Sequence, residues 1–255
     1  MDELLSLGEQ CSSALFAAVL REKGANSSAF DVRRVLRTDS HFGRAEPQVE
    51  QIALLSSEHL LPLLSEQVIV TQGFIGSDEA GQTTTLGRGG SDYSAALLAE
   101  ALKASAVEIW TDVAGIYTTD PRLAPNAHPI AEISFNEAAE MATFGAKVLH
   151  PATILPAVRQ QIQVFVGSSK EPEKGGTWIR HQVEDAPVFR AVALRRDQTL
   201  LNLHSLQMLH AQGFLAETFA TLARHKISVD LITTSEVNVS LTLDKTGSDS
   251  SGQGL

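Results

Sequence analysis

Thr83-Thr-Thr-Leu-Gly-Arg-Gly-Gly-Ser-Asp-Tyr-Ser94 lies between two apolar runs, and its reading decides the fold. Gly87, Gly89 and Gly90 let backbone N–H groups approach an anion closely, because no Cβ stands in the way. Arg88 adds a planar guanidinium fork suited to a carboxylate or a phosphate. Ser91 and Asp92 fall where a helix should begin, since Ala95-Ala-Leu-Leu-Ala-Glu-Ala-Leu102 follows. A helix N-terminus favours negative charge through its unpaired N–H groups and its dipole. A plain strand-to-helix connection capped by Ser or Asp has the same composition, so the loop alone leaves both readings open. Two alternatives are excluded. Asp92 stands where a dinucleotide fingerprint needs its third glycine, and no Gly-Lys-Ser/Thr of a P-loop occurs in the chain.

Downstream, Ala106-Val-Glu-Ile-Trp110 reads as a buried strand followed by the loop Thr111-Asp-Val-Ala-Gly-Ile-Tyr-Thr-Thr-Asp-Pro-Arg122. Thr111 and Asp112 then sit at a strand's carboxyl end, where open α/β sheets place ligand residues. Tyr117 offers a ring or hydroxyl and Arg122 a phosphate-pairing charge, although Asp120-Pro121 is also ordinary turn chemistry. In Phe144-Gly-Ala-Lys-Val-Leu-His-Pro151, Lys147 either snorkels to water or reaches a phosphate.

Working outward, Asp2 to Lys23 reads as a helix with Leu4, Leu7, Cys11 and Leu15 on one stripe. This places Cys11 in the core and Glu9 on a solvated face, roughly opposite the stripe. A strand is expected near Ser28–Val32, a helix from Pro47 to Leu64, a buried strand at Val68–Thr71, a helix from Pro151 to Arg159 and a strand at Val164–Gly167. Strands alternating with helices give an α/β fold, a parallel or mixed sheet with helices on both faces. The polar stretch Ser168–Gly176 is the best boundary or inter-element link. Beyond Val188, a strand over Ala191–Leu203, a helix over Gly213–Lys226 and strands over Ser228–Thr233 and Val237–Leu243 form a second unit.

With 255 residues and 43% hydrophobic content, the chain can bury one large or two modest cores. Its longest apolar run is too short to span a bilayer, and its start has no basic region leading into an apolar core. One cysteine excludes an internal disulfide. A net charge of −10 with interspersed basic residues argues against nucleic-acid binding, and the cytoplasm is the natural setting. The scattered histidines show no metal-ligand spacing and no Gly-x-Ser-x-Gly elbow occurs, so neither a zinc site nor a hydrolase is indicated.

Gly87-Arg-Gly-Gly-Ser-Asp92, Thr111–Arg122 and Phe144–Pro151 together, in this order, resemble the motifs of the aspartokinases within the amino-acid kinase family. The resemblance runs through the whole chain and points to the lysine-sensitive, monofunctional bacterial branch. It implies an amino-acid kinase-like catalytic region over 1–177 and a partial ACT-like, ferredoxin-like α+β regulatory domain over 178–255. The family's opening Lys-Phe-Gly-Gly-Thr-Ser segment is not found, and the last residues fall partway into the family's regulatory region. From this the chain reads as a piece that alone is inactive.

The activity the resemblance implies is transfer of the γ-phosphoryl group of ATP, bound with Mg²⁺, to the β-carboxylate of L-aspartate, at the entry to lysine, methionine and threonine synthesis. A non-catalytic lysine-sensing or assembly partner is the alternative. Carried over by motif, Arg88 pairs with an aspartate carboxylate while Gly89, Gly90 and Ser91 donate around it. Glu9, in a Gly-Glu pair, contacts the substrate ammonium, Phe74 lines the pocket and Asp92 orients donors at the reacting centre. Thr111, Asp112, Tyr117 and Arg122 match nucleotide-contacting positions, as do Val148 and Lys147, the latter near the phosphates. Met208, Phe214, Leu215, Ser228, Val229, Asp230 and Ser235 resemble an effector site for L-lysine. The full-length protein is expected to be a homodimer or tetramer joined through ACT domains.

Overall fold

The computed structural model describes residues 1–87, 89–143, 151–184, 187–194, 196, 198–204, 213–225, 227, 229–235 and 237–243. The chain divides into two compact units, Met1–Leu194 and Arg195–Leu255.

The first unit opens with helix α1 (Asp2–Glu22), which leads into strand β1 (Ser27–Phe30). Helices α2 (Val49–His59) and α3 (Leu61–Leu64) then precede β2 (Val68–Thr71), which pairs parallel to β1. The single helix expected over 47–64 is broken at Leu60. Pro62 has no N–H to donate, and its ring would strike the carbonyl four residues back, so the chain restarts as a short turn. A hairpin follows, β3 (Ile75–Ser77) with β4 (Thr83–Thr85), and delivers the glycine-rich loop to α4 (Gly90–Leu102).

A mixed sheet forms the rest of this unit. Its strands are β5 (Ala106–Thr111), β6 (Glu132–Ser134), β7 (Gln163–Ser168) and β8 (Gly176–Arg180), in the spatial order β5-β7-β8-β6. β5 and β7 are parallel, as are β6 and β8, while β7 and β8 are antiparallel. The polar stretch 168–176 is therefore a link between paired strands. Helices α5 (Phe135–Thr143) and α6 (Pro151–Arg159) pack beside them. One core gathers Val107, Ile109, Ile133, Val164, Val166 and Ile179 beneath these helices; a second joins Phe30, Val35, Ile52, Ile75 and Leu97. Each such side chain, fully buried, is worth about 1.5–3 kcal/mol of transfer free energy.

Helix α1 corrects the expected core face. Cys11 is exposed, and Leu4, Leu7 and Leu15 on the same stripe are 66%, 49% and 67% exposed. The buried face is instead Asp2, Ser6, Ser13 and Ala17. These small or polar groups let the helix approach its strands closely and meet specific partners. Gln72 donates to Ser13 Oγ at 2.8 Å, and Ser27 Oγ donates to the Ala17 carbonyl at 2.9 Å. Glu9, opposite the apolar stripe, is consequently half-buried rather than solvated.

In the second unit, β9 (Thr199–His204), β10 (Val229–Thr234) and β11 (Asn238–Leu243) form an antiparallel sheet in the order β10-β11-β9; helix α7 (Phe214–Arg224) adds Leu222 to a core of Val239, Leu241 and Leu243. The strand expected over 191–203 forms only from Thr199. Upstream of it, Val192 N–H donates to the Thr118 carbonyl of the first unit at 2.8 Å and so does not extend the β9 ladder. No described helix is long and apolar enough to cross a membrane.

Candidate functional site

The glycine-rich loop is shaped by backbone that other residues avoid. Gly87 and Gly89 have φ of 76° and 73°, in the left-handed region where a Cβ is penalised. Gly89 is the residue before α4, so Ser91 and Asp92 lie in the helix's first turn, whose N–H groups have no intrahelical acceptor. Neither side chain caps the helix end. The end therefore keeps its positive partial charge for a ligand.

Phe74 sits against this helix end. A Cβ at Gly90 would lie 2.8 Å from Phe74 Cδ2, and one at Gly73 would lie 3.0 Å from Ser91 Cα. Phe74 itself has φ of 69°, a costly conformation for an aromatic residue, and it is held there from both sides. Its N–H donates to Ser94 Oγ at 2.9 Å while its carbonyl accepts from Leu86 N–H at 2.9 Å. Ser94 Oγ in turn donates to the Gly90 carbonyl at 2.8 Å. The turn at 73–74 and the first turn of α4 are thus one hydrogen-bonded body.

Asp2 braces the same region from α1. Its buried Oδ2 accepts from Gly43 N–H at 2.8 Å, Thr85 N–H at 2.9 Å and Thr85 Oγ1 at 3.0 Å. Three donors on one oxygen satisfy a carboxylate that burial alone would penalise. Asp92 has no such compensation, and partial burial at the helix start pushes its carboxyl above the usual carboxylate range.

Helix α4 rises about 20 Å over its 13 residues. β5 follows it in sequence and packs against it. Thr111 and Asp112 stand at the carboxyl end of β5. Thr111 Oγ1 donates to Asp112 Oδ1 at 3.2 Å, and the Thr111 carbonyl accepts from Ser169 N–H at 2.8 Å. Beyond them the chain forms a narrow loop. Tyr117 pairs with Pro129, and Ile130 N–H donates to the Ile116 carbonyl at 2.8 Å. Thr177, fully buried, pins its base by accepting from Ile116 N–H at 2.8 Å and donating to the Ile130 carbonyl at 2.6 Å. At the loop tip, Arg122 makes a two-pronged pair with Asp120, its Nη2 donating to Oδ2 at 2.7 Å. The side-chain hydrogen bond from Arg122 lowers the Asp120 carboxyl to about 2.

The structure thus brings together Phe74, Gly89, Gly90, Ser91 and Asp92 at the start of α4; Thr111 and Asp112 stand at the end of β5, and Tyr117 and Arg122 lie further along the loop that follows. Glu9 is on α1, which packs on β4. Arg88, Lys147 and Val148 lie outside the described residues, as do Met208 and Ser228 in the second unit. Phe214 and Leu215 open α7, Val229 and the backbone of Asp230 belong to β10, and Ser235 follows it, its N–H donating to the Asn238 carbonyl at 2.8 Å. Sequence reading passed over Asp2, Ser94, Asp120 and Thr177. Asp120 was legible as the turn acid two residues before Arg122, and Asp2 as an acid at a helix start; no local pattern marks Ser94 or Thr177. The described residues contain no cluster of three His, Cys, Asp or Glu side chains able to hold a metal ion.

Comparison with known proteins agrees with this arrangement. The family model described as "Amino acid kinase family" matches residues 1–168, and one described as "ACT domain" matches residues 201–250. The lysine-sensitive aspartokinase 3 of Escherichia coli (strain K12) is 65% identical over 254 residues, covering 100% of this chain and 57% of that protein. The chloroplastic aspartokinase 3 of Arabidopsis thaliana is 39% identical, with 95% and 44% covered. Among solved structures, E. coli aspartokinase III in complex with lysine and aspartate matches with a TM-score of 0.82 and 66% identity, covering 97% of this chain and 56% of that one. The same enzyme in complex with aspartate and ADP gives a TM-score of 0.81 and 65% identity, covering 99% and 57%. The chain thus spans about half the length of the curated relatives it matches. With an ACT-type unit following a catalytic-type α/β unit, the chain belongs to the amino acid kinase family.

Proposed function

We propose that the chain carries the catalytic and effector elements of an ATP-dependent aspartate kinase that phosphorylates the β-carboxylate of L-aspartate under feedback control by L-lysine, in the cytoplasm. The observation that carries this reading is the open N-terminus of α4, with Gly87 and Gly89 in the left-handed region before it and Phe74 locked against its first turn. The relatives' complexes with aspartate, ADP and lysine support it.

A carboxylate is already ionised near neutral pH and needs no general base. The demand is to hold two anions together and to neutralise charge on the moving phosphoryl group. Arg88 pairs with an aspartate carboxylate, the N–H groups of Gly89, Gly90 and Ser91 donate to it, Glu9 receives the ammonium, and Phe74 closes the pocket wall. Asp92 orients the donors at the reacting centre. Thr111, Asp112, Tyr117 and Arg122 hold the nucleotide, with Lys147 and Val148 completing its phosphate end. Mg²⁺ carried by the nucleotide supplies further charge neutralisation. In the second unit, Asp230 partners the lysine ammonium, with Met208, Phe214, Leu215, Ser228, Val229 and Ser235 around the aliphatic chain.

Calorimetric titration with MgADP and with L-aspartate, together with hydroxamate trapping of the acyl phosphate, tests the reading. Saturable binding of both ligands, lost for aspartate in Arg88→Ala, is expected. Binding of neither ligand overturns it. For the effector, Asp230→Ala should weaken lysine binding by about 2–5 kcal/mol, because a desolvated ammonium loses its anion. Unchanged lysine affinity would remove Asp230 from that role.

A further inference from the structure

The segment 187–194 leaves the β8 region and lies against the loop assigned above to the nucleotide. Val192 N–H donates to the Thr118 carbonyl at 2.8 Å, adding an outer edge to the paired arms 116–118 and 128–130. Two residues earlier, Arg190 is only 14% exposed, and its Nε donates to Glu137 Oε1 at 2.6 Å. Its Nη1 donates to the Glu132 carbonyl at 3.0 Å. Glu137 is held in turn at the start of α5, where its Oε2 accepts from Ser134 N–H at 2.9 Å and Ser134 Oγ at 2.7 Å. Ser134 Oγ accepts back from Glu137 N–H at 3.2 Å, a reciprocal cap. Between the loop and the segment lies a cavity of about 950 Å³, with Thr118, Thr119 and His128 on one wall and Phe189, Arg190 and Val192 on the other.

We propose that residues 190–192 clamp the outer edge of the nucleotide loop, with Arg190 as the positioning residue. The inference rests on the assignment of Thr111–Arg122 to the nucleotide. The loop's inner base is pinned by Thr177, but Thr118 faces an open cavity on its outer side and has Val192 as its edge partner there. Val192 stays in place because Arg190 fastens the segment to two elements of the sheet layer, the start of β6 and the start of α5. A guanidinium can make both attachments at once, since its donors sit in a fixed planar fork; a lysine at this position could not reproduce the geometry. Glu137 serves both the cap and the clamp, so the start of α5 and the loop edge are mechanically one piece. Because the same segment runs on in sequence into the second unit, any pull along it would reach Thr118 through a single hydrogen bond.

The test uses the whole chain with Arg190→Ala, Arg190→Lys and Glu137→Gln. The last keeps an amide able to cap Ser134 while removing the charge facing Arg190. Amide hydrogen exchange should speed up by about tenfold or more across residues 116–130 in Arg190→Ala, and be unaltered in β5 and β7, whose ladder bonds do not depend on the clamp. MgADP affinity should fall about three- to tenfold. Glu137→Gln should give a smaller change of the same sign in both readouts, and Arg190→Lys a partial recovery. Unchanged exchange across 116–130 overturns the clamp. Faster exchange with unchanged MgADP affinity overturns its role in nucleotide positioning. If the unsubstituted chain binds no nucleotide, the functional assignment of the loop falls, while the exchange arm still decides whether the clamp exists.

Discussion

Replacing Thr177 by valine removes one hydroxyl and keeps the side-chain volume nearly constant. Thr177 is fully buried, and its Oγ1 bonds Ile116 N–H at 2.8 Å and the Ile130 carbonyl at 2.6 Å. Both isoleucines are themselves buried, at 4% and 6% exposure, so water cannot replace the lost partner. An orphaned buried donor costs about 1–3 kcal/mol, and a carbonyl that loses its donor adds to that, giving a total of about 2–4 kcal/mol. For a unit of this size each kcal/mol lowers the melting temperature by about 2–4 °C, so a drop of about 4–16 °C is expected. Thermal unfolding followed by circular dichroism measures it, with Thr177→Ser as a control that keeps the hydroxyl. A valine variant melting within a degree of the parent would show that the loop base relaxes freely, and the argument that Thr177 fixes it would fail.

Gly90→Ala should destabilise by about 1–3 kcal/mol, because its Cβ would press on Phe74 Cδ2 at 2.8 Å; a denaturant midpoint equal to the parent's would refute the close approach. Asp92→Asn should stabilise the fold near neutral pH. Burial raises the folded pKa of Asp92, so ionisation favours unfolding, and the gain should vanish at pH values below the unfolded carboxylate range; an equal gain at pH 3 would contradict this. Asp120, whose hydrogen bond from Arg122 lowers its folded pKa to about 2, contributes stability that is present above its unfolded pKa and is lost as pH falls through about 2. Its carboxyl resonance should therefore titrate near pH 2, and in Arg122→Ala it should move up toward the ordinary value; no movement would mean the pair does not persist in solution.

Backbone demands were the most legible part of the chain. Gly87 and Gly89 announce positive φ by having no side chain, and the alternation of β-branched runs with Ala/Leu-rich runs announced β2, β5, α4 and β7 closely. What failed was the face of α1. Periodicity identifies an apolar stripe but not the direction of the core, and here Asp2, Ser6 and Ser13 have their partners in Thr85, Gly43 and Gln72, residues that only folding brings near. Thr177 was invisible for the same reason, since its partners are 61 and 47 residues away. The pair Ser134-x-x-Glu137 did carry a readable helix-start signature, yet nothing local foretold that Arg190 would use the same carboxylate.

Phe165 is wedged between two indoles, with ring centroids 5.3 Å from Trp110 and 5.0 Å from Trp178. These are the only tryptophans in the chain, and both belong to the first unit. Intrinsic emission therefore reports that unit alone, with no background from the second. Trp110 immediately precedes Thr111, is 45% exposed, and donates its indole N–H to Glu108 Oε2 at 3.0 Å. A ligand settling at the carboxyl end of β5 would change the polarity around that ring, whereas the more enclosed Trp178 would respond mainly to loosening of the sheet. Single-tryptophan variants, Trp110→Phe and Trp178→Phe, would separate occupancy of the loop from integrity of the fold, giving the chain two built-in optical channels that need no added label.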